Sequence, residues 1–389
     1  MATDIKHILK EHAYQNIPLT WQEAYDLGNL TLRGCDGDAL AAIQSIGGMC
    51  ALHNAATYDW KWNQQEAREH KHELAKNAAE QIAGICAAIF DHDIATSEFG
   101  FFSPRDVPFV MDNCGMGGDL IQTANVSTIA AFIAAAAGVP MCKHGSPANA
   151  DRGKHGSSDF IKMCGINLFP SKEEVERCIT ETRFGYTEAL DPRIKRIHLQ
   201  THEYAKLPHM NDIIGPITNP VNPRLMSRRV VGVNHLIRPG LIAEAYQILN
   251  AQGVTAVEHV LAIRGFATPA SRSGMDEASI CPGGTLVAAL KDGVIEERMV
   301  YAEDFGLATV NVLAISPPRG MSKGDFSMKI LRGEIGGPAL QMVLANAALV
   351  LYVAGISTNL KECFQRAEAI HEKGLALKKM LQVRALIPA

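Results

Sequence analysis

Residues 108 to 138 constrain this chain more than any other stretch. Pro108 opens a short β-prone run, Phe109-Val110-Met111, which leads into the loop Gly115-Met116-Gly117-Gly118-Asp119. Asn125-Val126-Ser127-Thr128 then supplies a helix start, an Ala-rich run follows, and Gly138 stands just past its end. The order strand, Gly-rich loop, helix cannot bury its apolar faces alone and calls for further strands beside it.

The rest of the chain supplies them. Val139 to Cys142 reads as a strand, Ser158 to Cys164 as a helix, Arg229 to Val233 as a strand, Arg238 to Ala251 as a helix and Val257 to Ile263 as a strand. Such alternation predicts parallel pairing with helices on the sheet. Asp292-Gly293, between two β-prone runs, marks a hairpin and so makes the sheet mixed. Before residue 105 there is no strand signal: Thr20 with Glu23 forms a capping-box pattern, and Leu40, Ile43 and Ile46 recur at helical spacing. The fold class is therefore α/β: a small, all-helical N-terminal lobe plus a larger α/β lobe whose mostly parallel, mixed sheet is flanked by helices. The division expected is 1–105, with a polar insertion near 54–80 and helices near 171–205 joining this lobe, and 106–389 for the α/β lobe. Pro338 at a helix start and an amphipathic stretch from Leu360 complete the layer over the sheet.

At 389 residues with 47% hydrophobic and 20% charged side chains, the chain has ample material for such a core. Its net charge of −4 provides no global field for nucleic acid. Nine cysteines without a Cys-x-x-Cys pair read as free thiols of a reducing compartment, and the start lacks a signal-peptide pattern, so a cytoplasmic protein is expected. The apolar stretches Thr128–Gly138 and Ala339–Gly355 are shorter than the ~20 residues that span a bilayer, so no membrane partner is expected.

Three groups of residues point to phosphate chemistry. Gly115, Gly117 and Gly118 let backbone N–H groups approach an anion, the next helix adds its N-terminal N–H groups, and Thr123, Asn125, Ser127 and Thr128 supply side-chain donors. Lys143-His144-Gly145 follows the next strand, with Ser157 at a later helix start, where a lysine can pair with phosphate. Asp276 and Glu277 are adjacent carboxylates of the kind that hold Mg2+ against phosphates, and Asp119 is a further ligand candidate. Each group alone has an ordinary structural reading as a turn, a cap or a solvated pair; their order carries the inference. The His70-Lys71-His72 run lacks metal-binding spacing, and Trp60 and Trp62 fit either a core or a surface.

These motifs, with Gly156-Ser157-Ser158-Asp159, Gly215-Pro216-Ile217-Thr218-Asn219-Pro220, Gly274-Met275-Asp276-Glu277, Ala302 to Leu307 and Asn346-Ala347-Ala348, resemble the anthranilate phosphoribosyltransferase family. The resemblance implies a homodimer that binds 5-phosphoribosyl 1-diphosphate with Mg2+ between two lobes. It assigns Gly115, Gly117, Gly118, Asp119, Thr123, Asn125, Ser127, Thr128, Lys143, His144, Gly145 and Ser157 to the phosphosugar. It places Asp119, Ser127, Asp276 and Glu277 at the metal, and Lys143, Asp276 and Glu277 in catalysis. Tryptophan biosynthesis is the pathway it suggests.

The acceptor side departs from that pattern. Ser146 and Pro147 follow Lys-His-Gly where the family has Asn and Arg, Leu207-Pro208-His209 replaces a stretch bearing an Arg, and Ala189 to Ile194 replaces Ala-Pro-x-x-His-Pro-Ala. Met116 also stands where Thr is usual. Candidates here are Ser146, His209, Gly215 and Pro216, with His144, Arg193, His198 and His202 nearby in sequence. The expectation is phosphoribosyl transfer to a nitrogenous, aromatic small molecule that need not be anthranilate. The alternatives are nucleoside phosphorolysis and a non-catalytic relative that binds nucleic acid or another polyanion; the charge and the Asp276-Glu277 pair stand against the latter.

Overall fold

The structure, a computed structural model, describes residues 18–61, 67–118, 121–147, 156–198, 210–270 and 274–389. Three helices come first: α1 (Trp21–Cys35), α2 (Ala39–Lys61) and α3 (Ala67–Ile89). The first starts where its cap is written. Thr20 Oγ1 accepts from Glu23 N at 3.3 Å while the Glu23 carboxylate accepts from Thr20 N at 2.8 Å, so each satisfies the other's orphan donor. Leu27 and Leu30 of α1 are buried in one cluster with Ile82, Ile85 and Ile89 of α3. The polar excursion is thus the meeting of two long helices, with residues 68–73 inside α3; Trp62 and His202 lie outside the described residues.

The α/β part runs β1 (Met111–Gly115), α4 (Val126–Ala136), β2 (Met141–Gly145), α5 (Ser157–Met163), α6 (Lys172–Thr182) and β3 (Phe184–Glu188). It continues with α7 (Asn211–Ile217), β4 (Arg228–Gly232), α8 (Pro239–Ala251), β5 (His259–Phe266), the short β6 (Gly274–Met275), β7 (Thr285–Lys291) and β8 (Val294–Val300). Four helices close the chain: α9 (Lys323–Leu331), α10 (Gly337–Val353), α11 (Leu360–Glu372) and α12 (Leu375–Leu386). The first two strands start later than their β-prone residues suggest, because β1 pairs in register with β4 from Met111↔Arg228 to Gly115↔Gly232. Gly115 is therefore the last residue of a strand as well as the first of a loop.

The sheet order is β3-β2-β1-β4-β5-β7-β8, with β6 on β5. Strands β3, β2, β1, β4 and β5 are parallel and β6, β7 and β8 antiparallel, the mixed sheet expected. From β1 the chain moves outward to β2 and β3, then returns to place β4 on β1's other side. The gap between the C-terminal ends of β1 and β4 is a topological switch point, where open α/β sheets bind ligands. On one face Met111, Val230, Leu261 and Ile263 are buried with α4, α10, α11 and α12. On the other, Val231, Val260 and Ala262 join α8 and the N-terminal helices.

The stretch 171–205 divides. Helix α6 lies on β3, with Val175 and Ile179 against Gly185, and it also bonds the segment before β1: Lys172 Nζ donates to Phe99 O and Glu176 accepts from Ser103 N, both at 2.7 Å. Further along, Arg196 N (2.9 Å), Arg196 Nε (3.1 Å) and Ile197 N (3.0 Å) all donate to the wholly buried Asp93, in the π-helical turn that ends α3. Among the described residues no helix is long and apolar enough to cross a membrane.

Candidate active site

At the switch point the chain makes a notch and fills it. Gly115 and Gly232 are register partners at the ends of β1 and β4, and neither has a side chain to occupy the space above them. Asp276 takes it. A Cβ on Gly115 would lie 2.5 Å from Asp276 Cγ, and one on Gly232 would lie 2.6 Å from the Asp276 carbonyl carbon. The carboxylate is fixed by Gly117 N, which donates to Oδ2 at 2.7 Å. Asp276 reaches this place because β6 folds back on β5, Gly274 opposite Phe266 and Met275 opposite Gly265. Asn346 of α10 then pins the following turn, accepting from Ala278 N at 2.8 Å and donating to Ala278 O at 3.0 Å.

Glu277 points into protein. Thr123 Oγ1 donates to its Oε1 at 3.1 Å, while Oε2 is buried with no hydrogen-bond partner. Burial first, and the Asp276 charge second, raise its carboxyl well above the usual range; Lys323, in the first turn of α9, pulls the other way. Lys323 is a cation that the sequence did not single out. So is the partner of Asn125: Ser327 Oγ, also on α9, accepts from Asn125 N at 2.7 Å and Nδ2 at 3.1 Å. With the Asn125 side chain so engaged, α4 has no side-chain cap and its first N–H groups remain for an anion.

Lys143, expected at the phosphate, sits at the C-terminal part of β2. Strand alternation sends Lys143 and His144 to opposite faces. Lys143 is buried beneath the loop, and its Nζ donates to Asn113 O at 2.8 Å; Asn113 Nδ2 in turn donates to Ser127 O at 2.8 Å. The lysine thereby ties β2, β1 and the start of α4 together. Likewise, the N–H groups of Met116 and Gly117 serve Gly232 O and Asp276, bracing the loop from within. Gly118 lies exposed at the rim, 4.0 Å separating its would-be Cβ from Asn234 Nδ2. Thr128, buried on α4, has no partner for its hydroxyl.

A second group surrounds Gly145. Ser157 Oγ accepts from Ser146 N at 3.2 Å and donates to Ser146 O at 3.3 Å, closing the loop that follows β2. A Cβ on Gly145 would meet Tyr186 Oη at 2.7 Å. Tyr186 lies 2.8 Å from Ser158 Oγ, which donates to the buried Glu188. Neither Tyr186 nor Glu188 stood out in the sequence.

On the opposite face His144 is buried, its Nδ1 3.0 Å from Thr187 Oγ1 and its Nε2 without a partner. Burial, then Lys195, push its pKa well below the usual imidazole value, so it is neutral at pH 7. Beneath it, Arg229 Nη2 donates to Asp112 Oδ2 at 2.8 Å, both side chains buried, and Arg229 also bonds the carbonyls of Pro216 and Ile217. Asn219 Nδ2 donates to the same Asp112 oxygen at 3.0 Å. This buried post fixes the C-terminal end of α7 and the residues after it, through Asn219, to the N-terminal halves of β1 and β4. Gly215 sits against the His198 ring, 2.9 Å from Cε1 to its would-be Cβ. Arg193 is held by Asp191 at 2.7 Å and lies over the Phe99 ring. Asp119 and His209 lie outside the described residues.

The site therefore offers paired carboxylates at a switch point, an uncapped helix N-terminus and a braced Gly-rich loop, a set suited to a metal-bound phosphate ester. Known proteins match on the same stretch. The model of the glycosyl transferase family, a/b domain, covers residues 108–377. The anthranilate phosphoribosyltransferase of Verminephrobacter eiseniae is 35% identical over 283 residues, 72% of this chain and 77% of that protein. That of Rubrobacter xylanophilus is 36% identical over 278 residues, 69% and 73% of the two. In fold, the anthranilate phosphoribosyltransferase of Thermus thermophilus superposes with a TM-score of 0.71 at 23% identity, over 97% of this chain and 98% of that one. The Saccharomyces cerevisiae enzyme in complex with PRPP and Mg gives 0.72 at 20% identity, over 99% and 98%.

Proposed function

This chain belongs to the anthranilate phosphoribosyltransferase family of glycosyl transferases, and from that premise we propose that it moves the phosphoribosyl group of 5-phosphoribosyl 1-diphosphate, held with Mg2+, onto a nitrogenous aromatic acceptor and releases diphosphate. The observation that carries the reading is Asp276 seated in the Gly115–Gly232 notch, with the orphaned Glu277 Oε2 beside it.

The two carboxylates fit the metal. A buried oxygen without a donor and a carboxyl raised by burial are what a divalent cation relieves, and Mg2+ is commonly held by one or two carboxylates plus substrate phosphates. Bound there, it would supply positive charge to the diphosphate as that group leaves. The chain's own part is positioning and electrostatics. The first N–H groups of α4, with Ser127, Thr128 and Gly118, are disposed to hold phosphate oxygens, and Lys143 sets the loop through Asn113 O. Lys323 adds a nearby positive charge. His144, neutral and with one free ring nitrogen, can donate to or accept from an acceptor group without carrying charge.

Anthranilate is disfavoured as acceptor. Its carboxylate needs a cation, and among the described residues Arg193 is engaged by Asp191. The test is calorimetric titration with 5-phosphoribosyl 1-diphosphate with and without Mg2+, followed by diphosphate release against anthranilate and other aromatic amines. Mg2+-dependent donor binding with release on an acceptor other than anthranilate is the expected result. No binding at millimolar donor would overturn the transferase reading, and efficient turnover of anthranilate would overturn the acceptor half.

A further inference from the structure

The end of β3 carries a carboxyl that the chemistry above does not use. Alternation along β3 sends Tyr186 and Glu188 to one face, and register sets them beside Lys143 and Gly145 of β2. Both are buried, as is Ser158 in the first turn of α5. Glu188 Oε1 accepts from Leu190 N at 3.1 Å, and Oε2 accepts from Ser158 Oγ. Ser158 Oγ lies 2.8 Å from Tyr186 Oη, and the same phenol interacts with the Ser157 hydroxyl. Three hydroxyls thus join Glu188 to the serine that clasps Ser146.

Among the described residues no ion pair engages Glu188. The charged groups around it are Asp191 in the turn after β3, Asp159 on α5, and Lys143, whose Nζ is turned to Asn113 O. Burial, and more weakly Asp191, raise its carboxyl above the usual range, against the hydrogen bonds from Ser158 and Leu190 N. A carboxylate without a cation is costly inside a protein. An amide would link Leu190 N to Ser158 without that cost, so what the charge adds is direction. An ionised carboxylate only accepts: Ser158 donates to it, and Tyr186 donates to Ser158. The Tyr186 proton is then spent, and Ser157 Oγ keeps its bonds to Ser146 N (3.2 Å) and Ser146 O (3.3 Å). A proton on Oε2 reverses each step: Glu188 donates to Ser158, Ser158 to Tyr186, and the Tyr186 hydroxyl turns to Ser157 Oγ, where it competes with Ser146 N.

We infer that Glu188 is a positioning residue for donor binding: as a carboxylate it draws the Ser158 and Tyr186 protons toward itself and so keeps Ser157 on Ser146. This rests on the proposed function, in which Gly145 and Ser157 face the phosphosugar. The test is calorimetric titration of the full chain with 5-phosphoribosyl 1-diphosphate and Mg2+ over a pH series from mildly acidic to mildly alkaline, wild type beside Glu188→Gln, Tyr186→Phe and the double variant. In Glu188→Gln the amide oxygen stays with Leu190 N and the amide N–H faces Ser158, so the relay is held reversed at every pH. That variant should bind donor roughly three- to tenfold more weakly than wild type at alkaline pH, about the effect of one neutral hydrogen bond. The gap should close as pH falls and wild-type Glu188 takes up its proton. Tyr186→Phe has no proton to turn to Ser157. It should match wild type at alkaline pH and bind more tightly than wild type on the acid side, and adding Glu188→Gln to it should cost nothing further. A Glu188→Gln penalty that is absent or equal at every pH overturns the inference. So does a Tyr186→Phe to wild-type ratio that never changes, or a double variant that keeps the penalty. A wild type that binds no donor at any pH overturns the transferase reading itself, and the inference with it.

Discussion

Replacing Gly115 with Ala tests the site at its tightest point. The new methyl would stand 2.5 Å from Asp276 Cγ and 3.2 Å from Cβ, and closer still to Oδ2. Real Cβ atoms do not approach that near, so the carboxylate must swing away. In doing so it gives up the 2.7 Å hydrogen bond from Gly117 N. A charge-assisted bond of this kind contributes about 1.5–3 kcal/mol, which corresponds to roughly 10- to 150-fold in affinity at about 1.4 kcal/mol per decade. Gly115→Ala should therefore weaken Mg2+-dependent binding of 5-phosphoribosyl 1-diphosphate by that factor in calorimetry, with the far-UV circular dichroism unchanged. Gly232→Ala makes the matching control. Its Cβ would meet the Asp276 backbone, 2.6 Å from the carbonyl carbon, and a backbone cannot rotate aside. That variant should lose thermal stability as well as binding. Donor affinity of Gly115→Ala within twofold of wild type would refute the placement of Asp276 in the notch as the basis of donor binding.

Lys195 is wholly buried, its Nζ donating to Thr218 O at 2.8 Å, and burial pushes its pKa down from 10.5 to about 7. The unfolded chain takes up that proton near 10.5 and the folded chain resists it until about 7, so the contribution to stability is full above the unfolded value and is lost as pH falls through this window. Lys195→Met should flatten the rise in urea-melt stability between pH 7 and 10; parallel profiles would contradict it. Arg229→Met leaves Asp112 buried without its 2.8 Å partner and should destabilise by about 3–5 kcal/mol in denaturant melts, whereas a loss below ~1 kcal/mol would mean the post carries little. Ser327→Ala removes the acceptor of both Asn125 donors, so donor affinity should fall several-fold with little change in melting temperature; unchanged affinity would separate α9 from the phosphate end of α4.

What the sequence disclosed follows from what is local. The Thr20–Glu23 cap and the Asp292-Gly293 turn depend on neighbours a few residues apart and appear where they were expected, whereas Asn125 starts α4 without capping it, its side chain being held by Ser327. The notch has no such local origin. It exists because Gly115 and Gly232 fall in register on adjacent strands, and register between distant segments is written nowhere in either one. Ser327 and Lys323 escaped for the same reason: α9 meets α4 only once the sheet is covered. Lys143 is a different case. It shares a face of β2 with Met141, a core residue, so alternation alone placed its side chain inward, yet a lysine after a strand invites a phosphate.

The acceptor side unites the two readings. On the proposed reading the acceptor side departs from the family pattern, and among the described residues there Arg193 is paired to Asp191 and stacked on Phe99, while Lys195 is committed to Thr218. His144 is left neutral, with one ring nitrogen unpartnered. If the acceptor binds here as proposed, a carboxylate would gain no counter-charge from Arg193 or Lys195, a desolvation cost of several kcal/mol per ion that a neutral heterocycle escapes. Discrimination would then rest on hydrogen bonds to ring nitrogens, for which a site with buried, unpaired polar groups rejects ligands that cannot pair them.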